Sequence, residues 1–192
     1  MVSYKTTRTI QRLLILAILV VVSLGIFFVA ETIVDRTKNQ PVDLGKEALL
    51  KTSDGYMVSL SVRGPIVADE DFRSYEIVIS PNMRELSVYE GYKKNNLDSI
   101  KLNNNLPAYE QFVYALDKAG FMDGSNSSDN KGVCATGYIY EFATIKDEKN
   151  VKKVWSSSCN NDRGISRSSV KNIVNLFLNQ IKGGEALIEK LW

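Results

Sequence analysis

Residues 56–65 read YMVSLSVRGP, and this stretch decides the fold. Val58, Leu60 and Val62 take alternate positions, so a strand turns all three to one face, and Gly64-Pro65 ends it. Tyr75, Ile77 and Ile79 repeat the alternation, Ser80-Pro81-Asn82 supplies turn chemistry, and Leu86 and Val88 resume it, which predicts a hairpin. An Asn-rich stretch, 93–105, holds one more short strand around Ile100 and Leu102.

Beyond it the period changes. Pro107 opens a segment in which Phe112, Val113, Leu116 and Ala119 recur with helical spacing, and Gly120 stops it. After the polar loop 122–132, Cys134, Thr136, Tyr138, Tyr140 and Phe142 alternate into a strand. Residues 146–150 form a charged turn, and 151–159 return as the second arm of a hairpin. Ser166 or Ser168 caps a second helix, whose stripe is Val170, Ile173, Val174, Phe177 and Ile181 and whose end is Gly183-Gly184. It is expected to be the longer of the two. Successive hairpins make an antiparallel sheet and two amphipathic helices cover one of its faces, so residues 52–192 are expected to form an α+β domain.

Upstream, residues 31–51 mix charge with Pro41 and Gly45 and read as a stalk. Before them, 13–30 read LLILAILVVVSLGIFFVA without a charge. As a helix this run is roughly 27 Å long, close to a hydrocarbon core, which predicts a single transmembrane anchor. Lys5, Arg8 and Arg12 precede it, and no acid occurs before Glu31. The basic side stays cytoplasmic, so 1–12 is expected inside and the C-terminal domain outside the cell membrane. A cleaved signal peptide shares this layout, but Phe28-Val29-Ala30 puts a bulky residue where a small one is needed.

Removing those three cations from 24 basic residues leaves 21 against 22 acidic, a net charge of −1 outside. A nearly neutral domain has no basic footprint for a nucleic-acid backbone, so no nucleic-acid partner is expected. With 44% hydrophobic and 24% charged residues, the chain has enough apolar side chains for a real core.

Both cysteines, Cys134 and Cys159, fall in the second hairpin. A turn centred between Lys146 and Asp147 sets them opposite each other. A loop of 146–150 instead shifts the register by about three residues and requires a bulge or a flexible strand end to join the sulfurs. A structural disulfide is expected in either case, as an oxidising outer compartment permits.

The stretch Trp155-Ser156-Ser157-Ser158-Cys159 resembles the strand end that carries the nucleophile of envelope transpeptidases, which pair that thiol with histidine. This chain contains no histidine, which removes Cys-His and Ser-His-Asp catalysis and histidine-ligated zinc. Asp69-Glu70-Asp71, and Asp123 with Asp129, lack the ligand spacing of a calcium loop. No glycine-rich phosphate cradle follows a strand, so no cofactor is expected. Asn126-Ser127-Ser128 matches the glycosylation sequon. Tyr89, Tyr92, Tyr138 and Tyr140 are the candidate binding surface, although aromatic residues on a strand face are commonly core.

The resulting expectation is a membrane-anchored interaction module that binds an envelope component or a partner protein. The alternatives are a small subunit of a larger membrane complex, and a tethered hydrolase using carboxylates or a Ser-Lys pair, with Ser80 as a candidate serine.

Overall fold

The computed structural model describes residues 21–23, 43–53, 55–127, 129–159, 164, 166 and 168–190. Residues 21–23 are helical with exposed side chains; the rest of the apolar run 13–30, the segment 1–12 and residues 31–42 lie outside the described residues. Among the described residues no helix is long and apolar enough to cross a membrane. The chain divides into two units, Met1–Val42 and Asp43–Trp192.

The second unit has an α+β fold around one antiparallel six-stranded sheet. In chain order its elements are α1 (Leu44–Leu49), β1 (Tyr56–Arg63), a 3-10 turn (Asp69–Asp71), β2 (Arg73–Ile79), β3 (Met83–Glu90) and β4 (Asn95–Asn103). They continue with α2 (Leu106–Lys118), β5 (Ile139–Lys146), β6 (Lys149–Ser157), α3 (Val170–Leu178) and α4 (Gly184–Glu189). The strand order is β4-β3-β2-β1-β5-β6, so β1 lies inside the sheet, between β2 and β5.

Alternation along β1 produces the two faces. Leu60 stands opposite Ile77 on β2 and Phe142 on β5, and these three are fully buried in one core with Phe112, Val113 and Leu116 of α2 and Ile173 and Phe177 of α3. Phe177 meets Phe112 edge-on at 5.2 Å and Phe121 at 5.6 Å. Burying each such side chain contributes about 1.5–3 kcal/mol relative to exposure. The opposite phase of β1, Ser59, Ser61 and Arg63, lies on the face turned away from that core.

Local chemistry sets the ends of α2. Asn105 caps it by accepting from Ala108 N at 3.0 Å, and Pro107 sits in its first turn. Gly120 takes a left-handed φ of 74°. Its N–H donates to Asp117 O and that of Phe121 to Leu116 O, the paired bonds that close a helix.

The structure departs from the sequence expectations in several places. Residues 43–49, read as the end of the stalk, belong to the fold. Asp43 caps α1 by accepting from Gly45 N and Lys46 N, and Leu49 is buried in the core. The strand expected from Cys134 starts only at Ile139, because Cys134 adopts φ 50° and Gly137 N bonds back to Cys134 O in a turn. β5 and β6 meet through a two-residue loop, Asp147-Glu148, in which both residues have positive φ, as a tight hairpin demands.

At 9 residues α3 is shorter than α2 at 13, the reverse of expectation. Ser166 and Ser168 do not cap it: Ser166 N bonds Trp155 O, and the Ser168 hydroxyl donates to Gly120 O. At its far end Gln180 N and Ile181 N donate three residues back, to Phe177 O and Leu178 O, which tightens the chain and keeps Ile181 buried outside the helix. Gly183-Gly184 then opens α4.

The disulfide joins Cys134 to Cys159 with a Cα separation of 5.6 Å. The strands pair Ile139 with Ser157, and the register shifts between Thr144 and Ile145. Continued in that register, the cysteines would not stand opposite each other. The 134–137 turn ahead of β5 lets the chain leave that register and join the sulfurs, so a flexible strand end makes the connection although the hairpin loop is short.

Candidate functional site

Cross-strand register builds the open face of the sheet row by row. Arg63 on β1 stands between Ser74 of β2 and Ile139 of β5, and Ser61 stands between Glu76 and Glu141. Further along, Ser59 stands between Val78 and Ala143, and Glu76 is itself opposite Ser87 of β3. Ser59 and Ser61 therefore keep the middle of the face low, with Glu76 and Glu141 rising on either side of Ser61, which leaves a trough along β1 that Arg63 closes at one end.

Three connecting segments border the trough at the Arg63 end. Residues 64–72 bring Ile66, Val67 and Phe72; the β3–β4 turn brings Tyr92 and Lys94; and the loop between α2 and β5 brings Asn130. Phe72 stacks on Tyr92 at 4.1 Å, the Tyr92 hydroxyl donates to Val67 O at 2.8 Å, and Asp69 Oδ1 accepts from Tyr92 N at 2.7 Å. Ile66 N donates to Ala135 O at 2.7 Å, tying this lip to the disulfide loop. The resulting cleft of about 200 Å³ is lined by Ser61, Arg63, Phe72, Ser74, Tyr92 and Glu141, among others. A second cleft of about 110 Å³ continues along the trough and shares Ser61, Lys94 and Glu141 with the first.

The charges are arranged unequally. Glu141 accepts from Asn130 Nδ2 at 2.7 Å and from Lys153 Nζ at 2.9 Å, so both its oxygens are engaged. Lys94 Nζ lies 3.8 Å from Glu76 Oε2 and 5.3 Å from the centre of the Tyr89 ring. Arg63 forms no ion pair among the described residues; it donates to Val133 O at 2.7 Å and to Gly64 O at 3.4 Å. Burial pulls the Arg63 pKa below the ordinary guanidinium value, while the charges of Glu141 and Tyr92 push it back up, so the group stays protonated. Beside it, Ser74 is 3% exposed and its hydroxyl has no hydrogen-bond partner among the described residues.

The trough can therefore hold a ligand: it offers N–H donors from Arg63, a hydroxyl from Ser74, an apolar wall from Ile139 and an apolar lip. Among the described residues the Ser74 hydroxyl has no base within hydrogen-bond reach. No protein-family model and no curated protein matches the chain.

The four tyrosines named from the sequence fall on different parts of the molecule. Tyr92, half exposed, forms the lip of the cleft, and Tyr89 lies on the same face under Lys94. Tyr140 lies on the helix side, opposite Val62, where it borders a separate depression with Val170 and Val174 of α3. Burial, then the Tyr138 charge, raises its pKa. Tyr138 lies 6.5 Å from it, just ahead of β5. The structure does not bring the four together.

The Ser80 hydroxyl donates to Asn82 Oδ1 at 2.7 Å, and the buried Lys152 ammonium is held by Asp43 and Met122 O. Cys159 is in the disulfide and is no thiol. Among the described residues no group of three or more His, Cys, Asp or Glu side chains is placed to hold a metal ion.

Arg63 and Ser74 were missed in the sequence because they occupy the polar phase of their strands, which normally faces water. The available signal was the small size of that phase, Ser59-x-Ser61 followed by a lone arginine before Gly64-Pro65.

Proposed function

We propose that Asp43–Trp192 is a binding module, tethered outside the cell membrane by the apolar segment 13–30, that takes an envelope component or a partner protein into the Arg63 trough. The observation that carries this reading is the pairing of an arginine with a buried serine hydroxyl where, among the described residues, the first has no carboxylate partner and the second no partner at all. A buried polar group without a hydrogen bond costs about 1–3 kcal/mol, and a ligand that satisfies Ser74 recovers that cost. The absence of a base beside Ser74 favours holding over turnover.

NMR of the isotope-labelled full chain in micelles tests the reading during addition of a solubilised envelope fraction. Amide shifts clustered on Ser61, Arg63, Ser74 and Glu141 are expected. Shifts confined to the Tyr140–Val174 depression, or none at all, would contradict it.

A further inference from the structure

We infer that the trough is built for an acidic peptide segment, with a glutamate or aspartate carboxylate of the partner seated between Arg63 and Ser74 and an apolar neighbour on the Phe72–Tyr92 lip. This inference rests on the binding reading above and names the chemistry of the ligand.

Charge complementarity is the first argument. Across the two connected clefts the cations are Arg63, Lys94 and Lys153, and the carboxylates are Glu76 and Glu141. Lys153 is matched to Glu141 and Lys94 to Glu76, which leaves Arg63 as the unmatched charge. Two of its five N–H groups go to Val133 O and Gly64 O, so three remain for a ligand. A carboxylate accepts from an arginine fork and from a serine hydroxyl together, satisfying both groups.

Size and surroundings narrow the ligand. A cleft of about 200 Å³ is smaller than the ~300–1,000 Å³ sites that enclose drug-sized molecules, so it takes one side chain of a longer partner. Its continuation along β1 gives the flanking chain a path in an extended conformation. The lining is apolar at Phe72, Tyr92 and Ile139. Apolar contacts beside a single cationic pocket suit a peptide in which an acidic residue has apolar neighbours.

The test is a titration of the full chain in micelles with acetyl-Val-Glu-Val-amide and acetyl-Val-Gln-Val-amide. The same chain carrying R63M or S74A, and an oligogalacturonate as an anionic glycan, complete the set. The glutamate peptide is expected to bind the unaltered chain, its glutamine counterpart about tenfold more weakly, and R63M is expected to lose about the same factor. S74A is expected to lose severalfold.

Equal binding of the two peptides to the unaltered chain would overturn the inference, and that comparison requires no variant to fold. Arg63-dependent binding of the glycan alone would overturn the peptide assignment and keep the trough as a binding site. Arg63-independent binding of everything tested, or no binding at all, would sink both.

Discussion

Lys152 Nζ lies 2.7 Å from Asp43 Oδ2, which ties the first residue of the folded unit to β6, the strand at one edge of the sheet. The same ammonium donates to Met122 O at 2.7 Å, and the lysine stem packs on Gly45, where a side chain would overlap it. One buried lysine thus pins α1, β6 and the end of the α2 loop. The variant K152M keeps the stem volume and removes the charge. It should cost about 2 kcal/mol in urea unfolding of the full chain in micelles, since Asp43 is partly exposed and can rehydrate. An unchanged midpoint would mean the pin is ornamental.

The same pair gives a pH dependence. Burial alone would raise the Asp43 pKa, but hydrogen bonds from Lys152, Lys46 N and Gly45 N, with the Lys152 charge, hold it below its ordinary 3.8. A depressed folded value means the stabilisation is fully present above the ordinary carboxylate range and is lost as pH falls through the folded value. The variant D43N should therefore be less stable at neutral pH and lose less stability than the parent on acidification. Parallel stability curves for the two chains would refute this linkage.

The disulfide supports the trough as well as the fold. Arg63 donates to Val133 O, one residue before Cys134, and Gly137 leaves room for the sulfurs, since a Cβ there would lie 2.8 Å from Cys134 Sγ. Cross-linking residues 25 apart stabilises by about 3 kcal/mol in the chain-entropy model. Reduction should lower the unfolding free energy by roughly that amount. It should also weaken glutamate-peptide binding while leaving the helix signal in circular dichroism intact. Undiminished affinity in the reduced chain would uncouple loop and site.

The Asp147-Glu148 turn is a place to gain stability. Both residues adopt positive φ, 47° and 64°, where side chains other than those of Gly, Asn and Asp are strained. The variant E148G should stabilise the chain by about 0.5–1 kcal/mol, read as a rise in thermal midpoint. A fall would show that the Glu148 side chain makes a contribution larger than its strain.

The sequence made the helix-facing half of the sheet legible and left the other half obscure. Val58, Leu60 and Val62 announced a strand because apolar alternation has one physical cause, burial of a face. Ser59, Ser61 and Arg63 are the same alternation in its polar phase, and a polar phase looks alike whether it meets water or lines a cleft. What distinguishes the two is Ser61 facing Glu141, a pairing 80 positions apart in the chain, and the loops that rise beside it. Tyr92 and Tyr140 were legible only as aromatic candidates, and the core reading common for a strand-face aromatic holds for Tyr140, which faces the helices, but not for Tyr92. The α1 segment read as stalk because its six residues hold only one deeply buried large side chain, Leu49, and because Gly45 marks a close approach to Lys152 rather than a break.

The most direct measurement of the central claim is photo-crosslinking in intact membranes, with a benzophenone side chain replacing Tyr92 on the lip or, as control, the exposed Tyr114 of α2. The account predicts a discrete adduct from position 92 that survives washing, is absent from position 114 and disappears when R63M is added. Equal adducts from both positions, or an adduct at 92 that persists in R63M, would contradict a trough organised around Arg63.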